Sequence, residues 1–234
     1  MNREVVIDRR FRGPPRSANG GYACGVIAEG VTGVATVSLR LPPPLETTLT
    51  LSGDGLTSRL TDGERLVGEA SSSTLEIEVP GVPTFEVAQE SSRGYSGFIE
   101  HIFEGCFVCG PARDPGDGLR IFAGPVAGSD VVAAPWSPDQ SLRGPDCMID
   151  RRHVWAALDC PSYFGIGTDP KALLGRLTAD IDRLPEIDEP LVVIGWPIDV
   201  DGRKFYSGSA LADANGDVLA RAAATWIEID ELPV

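Results

Sequence analysis

Asp62-Gly63-Glu64-Arg65-Leu66-Val67-Gly68-Glu69-Ala70, running on to Thr74-Leu75-Glu76-Ile77, has an imperfect second copy near the C-terminus. There Asn215-Gly216-Asp217-Val218-Leu219-Ala220-Arg221-Ala222 runs on to Thr225-Trp226-Ile227-Glu228-Ile229. Each copy sets a turn dipeptide ahead of an apolar, strand-like run. The copies lie far further apart than the repeats of a solenoid, so they point to two related domains in one chain.

The chain of 234 residues is long enough for one large domain or two smaller ones with real cores, and the repeat favours two. Apolar residues make up 42% and aromatics only 7%, the composition of an ordinary globular protein. No stretch approaches the unbroken apolar length of a membrane span, and Val5-Val6-Ile7-Asp8-Arg9-Arg10 is too short and charged for a signal-peptide core. A cytoplasmic location is therefore expected. Five cysteines without a secretion signal argue for reduced thiols rather than a disulfide framework. A net charge of −14 opposes binding to nucleic acid or an anionic membrane, and an anionic ligand would need a local basic pocket.

Outward from the repeat, the two halves read alike. Glu4 to Arg9 reads as a strand. After Gly13-Pro14-Pro15, Ser17-Ala18-Asn19 offers capping residues to a short helix over Tyr22 to Ala28. Strands follow over Val34 to Leu41, Thr47 to Leu51 and Leu66 to Ile77. In the second half, Leu119 to Phe122 and Val131 to Trp136 read as strands and Ile149 to Leu158 as a helix. Strands over Leu174 to Leu184, Leu191 to Ile198, Lys204 to Ala212 and Val218 to Ile229 complete it. Arg40-Leu41-Pro42 has a counterpart in Arg183-Leu184-Pro185. The expected division is 1–82 and 118–234 as domains, with 83–117 as a linker and a Cys-x-x-Cys loop. The class is α+β: each half has one helix and a long antiparallel sheet, which can bury that helix only by wrapping around it.

The order of elements, the tract Gly13-Pro14-Pro15-Arg16-Ser17-Ala18-Asn19-Gly20-Gly21, the loop Cys106-Phe107-Val108-Cys109-Gly110-Pro111 leading to Gly118-Leu119-Arg120-Ile121, and Val154-Trp155-Ala156-Ala157-Leu158-Asp159-Cys160-Pro161 resemble hotdog-fold acyl-CoA thioesterases. The resemblance spans nearly the whole chain as two fused hotdogs, each an antiparallel sheet wrapped around a central helix. It implies an acyl-CoA or related acyl thioester as substrate. It further implies a helix N-terminus whose N–H groups bind the thioester carbonyl, and an acidic residue on the facing helix as base or nucleophile. Neither cofactor nor metal is implied, and homo-oligomers are common in the family. The family often carries His-Gly-Gly where this chain has Asn19-Gly20-Gly21.

Asn19, Gly20 and Gly21 at a helix start would let substrate approach the backbone, with unpaired N–H groups stabilising an oxyanion. The pair of glycines also has a bland use, relieving crowding where the helix packs. Asp159 is the candidate acid. Pro161 is expected to end or kink the helix beside it, leaving the carboxylate at the negative dipole end among Trp155, Ala156 and Leu158, all of which would raise its pKa. The alternative is a cap on the turn Pro161-Ser162-Tyr163. Glu29 reads as a helix-end charge, which leaves one composite site built from Asn19 to Gly21 and Asp159. His153, beside Arg151 and Arg152, reads as a surface or interface residue. Trp155 is a candidate substrate contact, as are Arg203 and Lys204 on a hairpin turn, for the phosphates of CoA.

Cys106 and Cys109 have the spacing of a zinc knuckle, but no second pair follows, and Cys24, Cys147 and Cys160 are scattered. A redox role would need a helix N-terminus after the pair, where Gly110-Pro111 stands instead. Packing within a loop turn is the reading that spacing favours. Three functions remain open: acyl thioester hydrolysis, acyl thioester dehydration or hydration, and non-catalytic acyl-CoA binding. Two histidines in the chain count against the second.

Overall fold

A computed structural model describes residues 1–144, 148–167, 169 and 171–232; Cys147 lies outside them. The chain begins with β1 (Asn2–Val6), α1 (Gly20–Ala28), β2 (Ala35–Leu39), β3 (Thr48–Gly53), β4 (Thr57–Asp62) and β5 (Arg65–Ser72). It continues through α2 (Phe85–Ser92), β6 (Gly124–Pro125), β7 (Val132–Trp136), α3 (Arg151–Gly165), β8 (Ala172–Ile181), β9 (Leu191–Asp201), β10 (Lys204–Asp213) and β11 (Val218–Glu228). The strands form one antiparallel sheet in the order β1-β3-β4-β5-β2-β8-β11-β10-β9-β7-β6.

The two halves meet at the pairing of β2 with β8, where Val37 faces Leu177 and the hydroxyls of Thr36 and Thr178 lie 2.8 Å apart. Counted outward from this seam, β5 and β11 hold the same position, and so do β4 and β10. The repeated sequence lies on β5 and β11 and the turns that lead into them, and both turns place a glycine at positive φ, Gly63 at 57° and Gly216 at 89°. The backbone bonding repeats as well. Arg40 and Leu41 both donate to Val67 O, and Asp182 and Arg183 both donate to Leu219 O.

The sheet buries one face, as the alternation of buried and open positions along β3 and β8 shows. Against that face pack α1 and α3, side by side. Apart from its first residue, α1 is buried throughout, as its run of apolar and small residues dictates.

Several expected elements differ. β1 stops at Val6, because Asp8 caps a single helical turn at Arg9–Phe11. The run Leu66 to Ile77 is β5 only as far as Ser72. β4, rich in polar residues, was not foreseen. Leu119, Ile121 and Phe122 are buried, but the segment forms no strand. Ile77, Val79 and Val82, at the end of the expected first domain, and Phe85 of the linker pack on the outer face of the second half against a cluster that includes Val192, Ile194 and Trp196, and the linker holds α2. That cover explains why the first six residues of β9 are buried on both faces.

The largest difference is α3, expected to end or kink near Asp159 but helical as far as Gly165. Pro161 deprives a preceding carbonyl of its donor and crowds that turn. That carbonyl is Ala157 O, and hydroxyls bond the two that follow it: Ser209 Oγ donates to Leu158 O across 2.6 Å, and Ser162 Oγ to Asp159 O across 2.7 Å. The helix continues through the proline, and Asp159 sits in its interior.

Candidate active site

Asn19 caps α1, its Oδ1 accepting from the Tyr22 N–H at 2.9 Å. The same side chain turns its Nδ2 to Asp159 Oδ2 at 2.7 Å, and the Gly21 N–H donates to that oxygen at 2.8 Å. One carboxylate oxygen from α3 thus occupies the N-terminus of α1, where the dipole and unpaired N–H groups favour an anion. Helix contact this close requires glycine, since a β-carbon at Gly21 would lie 2.5 Å from Asp159 Cβ and 2.6 Å from Trp155 O.

Asp159 is 2% exposed, and its second oxygen, Oδ1, finds no protein partner. Burial pushes its pKa up to about 7 against the lowering effect of the Gly21 N–H; nearby Cys106 adds to the rise and Asn19 opposes it. The cause is desolvation in the middle of a helix, not the expected position at a helix's negative end.

A cavity of about 240 Å³ opens beside this carboxylate. Asn19, Gly20, Asp159 and Cys160 border it, while Leu39, Leu41, Leu173, Leu174, Phe164 and Trp226 give it an apolar wall. Gly20 donates its N–H to no protein group among the described residues, as the first turn of a helix allows. Of the three residues expected to bind an oxyanion, Gly20 has an N–H left for a ligand. Gly21 spends its own on Asp159, and Asn19 is a cap and a clamp.

The matching place at the other end of the helix pair is different. Counted from the caps Asn19 and Asp150, the position equivalent to Asp159 is Ala28. Glu29 follows as the C-cap and pairs with Arg152 at 3.5 Å and with Arg3. The described residues therefore form one such carboxylate site.

Other sequence candidates lie elsewhere. Trp155 is buried behind the helix crossing, does not line the cavity, and leaves its Nε1 without a protein partner. Arg203 and Lys204 stand at the β9–β10 turn away from the cavity, and Arg203 donates to Glu228 O at 2.7 Å. The cation bordering the cavity is Arg40, which pairs with Glu69 at 2.7 Å. His153 is 5% exposed rather than on the surface, packed against Phe11, Tyr22 and Phe107 with its pKa pushed down to about 4 by burial. Sequence reasoning passed over His101, Cys160 and Trp226, all of which line the cavity. The adjacency of Cys160 to Asp159 was the available signal.

No protein-family model matches the chain, and no curated protein matches it. Solved structures do. An acyl-CoA thioesterase II from Mycobacterium marinum is similar over 97% of this chain and 93% of its own, with a TM-score of 0.60 and 10% identity. A candidate thioesterase II from Thermobifida fusca is similar over 97% and 92%, with a TM-score of 0.63 and 13% identity. A hot dog fold protein from Alicyclobacillus acidocaldarius is similar over 100% and 94%, with a TM-score of 0.58 and 11% identity. At these identities the likeness establishes the fold. The chain has a hotdog fold over nearly its whole length, and among the described residues no helix is long and apolar enough to cross a membrane.

Proposed function

We propose that this hotdog-fold chain hydrolyses acyl-CoA or a related acyl thioester at one composite site, with Asp159 as base or nucleophile. The halves act as two fused hotdog units, at about 1–82 and 118–234, that face each other as a dimer would. The observation that carries the reading is the unpartnered Oδ1 of buried Asp159 at the edge of an apolar cavity.

Asn19 and Gly21 fix Oδ2 and so aim the carboxyl group. Oδ1 is left to take a proton from a water molecule. That water adds to the thioester carbonyl carbon, and the oxyanion that forms lies against the Gly20 N–H. Collapse of the intermediate breaks the C–S bond as the proton held on Asp159 passes to the leaving sulfur, giving a carboxylic acid and free CoA thiol. The apolar wall holds the acyl chain, and Arg40 is the cation available at the rim for the phosphates of CoA.

Thiol release measured against short, medium and long acyl-CoAs tests the reading. Turnover with saturation in at least one class is the expected result. Tight binding of acyl-CoA without thiol release would instead identify an acyl-CoA-binding module.

A further inference from the structure

The fold gathers three cysteines that the sequence scatters. The Sγ atoms of Cys106, Cys109 and Cys160 all lie within 4.8 Å of one another, and all three residues are buried at the cavity wall. Cys106 Sγ and Cys160 Sγ are 3.7 Å apart. Two thiolates sharing a tetrahedral zinc at the usual Zn–S length of about 2.3 Å stand about 3.8 Å apart. We propose that Cys106, Cys109 and Cys160 together hold one zinc ion, with the fourth coordination position turned to the cavity.

Side-chain N–H groups reach all three sulfurs. The amide of Asn19 adds weak donors to Cys106 and Cys160, at 3.9 and 3.8 Å. His101 is a positioning residue rather than a ligand. Its Nδ1 accepts the Phe103 N–H at 2.9 Å, which leaves the ring proton on Nε2, 3.3 Å from Cys109 Sγ. An Nε2–H donor of this kind orients and stabilises a ligating thiolate. The missing second Cys pair, which argued against zinc from spacing, is replaced by one cysteine of α3. The ion would therefore tie the loop at 101–110 to the helix that carries Asp159. This inference is independent of the proposed hydrolysis.

The reduced protein is titrated with Co²⁺ and then Zn²⁺, with metal content also measured after purification without chelators. One equivalent per chain is expected, with thiolate-to-cobalt charge-transfer absorption, visible bands of a tetrahedral ion, and displacement by Zn²⁺. Cys106→Ser, Cys109→Ser and Cys160→Ser should each weaken binding more than about 100-fold, and Cys24→Ser should leave it unchanged. His101→Ala should keep the three-thiolate absorption while weakening affinity about tenfold or more. A reduced wild-type protein without charge-transfer absorption at stoichiometric Co²⁺ would overturn the proposal. So would a Cys106–Cys160 disulfide as the stable form with no metal taken up on reduction. Neither result depends on whether thioesters are hydrolysed.

Discussion

The side-chain amide of Asn19 donates to Asp159 Oδ2 across 2.7 Å, joining residues 140 positions apart in the chain. The contact places a residue of the first half and a residue of the second in one site. It also gives Asn19 two separable jobs, since its Oδ1 caps α1 while its Nδ2 aims the carboxyl group.

Asn19→Ala removes both jobs. It is expected to lower unfolding free energy by roughly 1–2 kcal/mol in urea titrations and to reduce kcat more than it raises KM. Asn19→Ser keeps a capping oxygen but no amide donor. It should recover most of the stability and little of the rate; full recovery of both would show that the amide does not position Asp159.

Gly21→Ala tests the helix contact itself. Its new methyl group would meet Asp159 Cβ and the Trp155 carbonyl well inside van der Waals distance. Overpacking of this kind costs about 1–3 kcal/mol. Thermal melts should show the loss, and a melting temperature at or above that of the wild type would refute so close a crossing.

Much of this was legible in the sequence. The repeat Asp62 to Ile77 and Asn215 to Ile229 marked strands at equal distances from the seam, and the cap at Asn19 was readable because asparagine ahead of an apolar run satisfies first-turn N–H groups. Polar β4 escaped because its alternation is carried by Ser58 and Leu60 among Thr and Arg residues. The continuation of α3 past Pro161 escaped because the surroundings of that turn are tertiary, among them Ser209, a hydroxyl from a distant strand on Leu158 O. The gathering of Cys160 with Cys106 and Cys109 is likewise tertiary, invisible to spacing along the chain.

His153 gives the fold a pH dependence. Its pKa falls from an ordinary 6.5 to about 4 in the folded protein. The neutral ring is favoured in the native state, so its contribution to stability is fully present above pH 6.5 and is lost as pH falls toward 4, by roughly 3 kcal/mol at the limit. His153→Phe, which suits the pocket of Phe11, Tyr22 and Phe107, should flatten that part of the urea-derived stability profile. An unchanged slope would assign the loss to other groups.

Charge at the cavity rim separates two sets of residues. Arg40→Ala should raise KM for acyl-CoA about fivefold, as loss of one exposed phosphate contact predicts. Arg203 and Lys204 lie away from the cavity, and their double replacement by Ala should leave KM within about twofold, a change worth only a few tenths of a kcal/mol. The reverse ranking in steady-state kinetics would move the nucleotide to the β9–β10 turn.

Asp159→Asn bears most directly on the proposed chemistry, because asparagine keeps the shape of the buried side chain and removes the basic oxygen. With the melting temperature close to that of the wild type, single-turnover hydrolysis of the best acyl-CoA should fall at least about a hundredfold. Hydrolysis at the wild-type rate by a folded Asp159→Asn protein would contradict a catalytic carboxylate at this site.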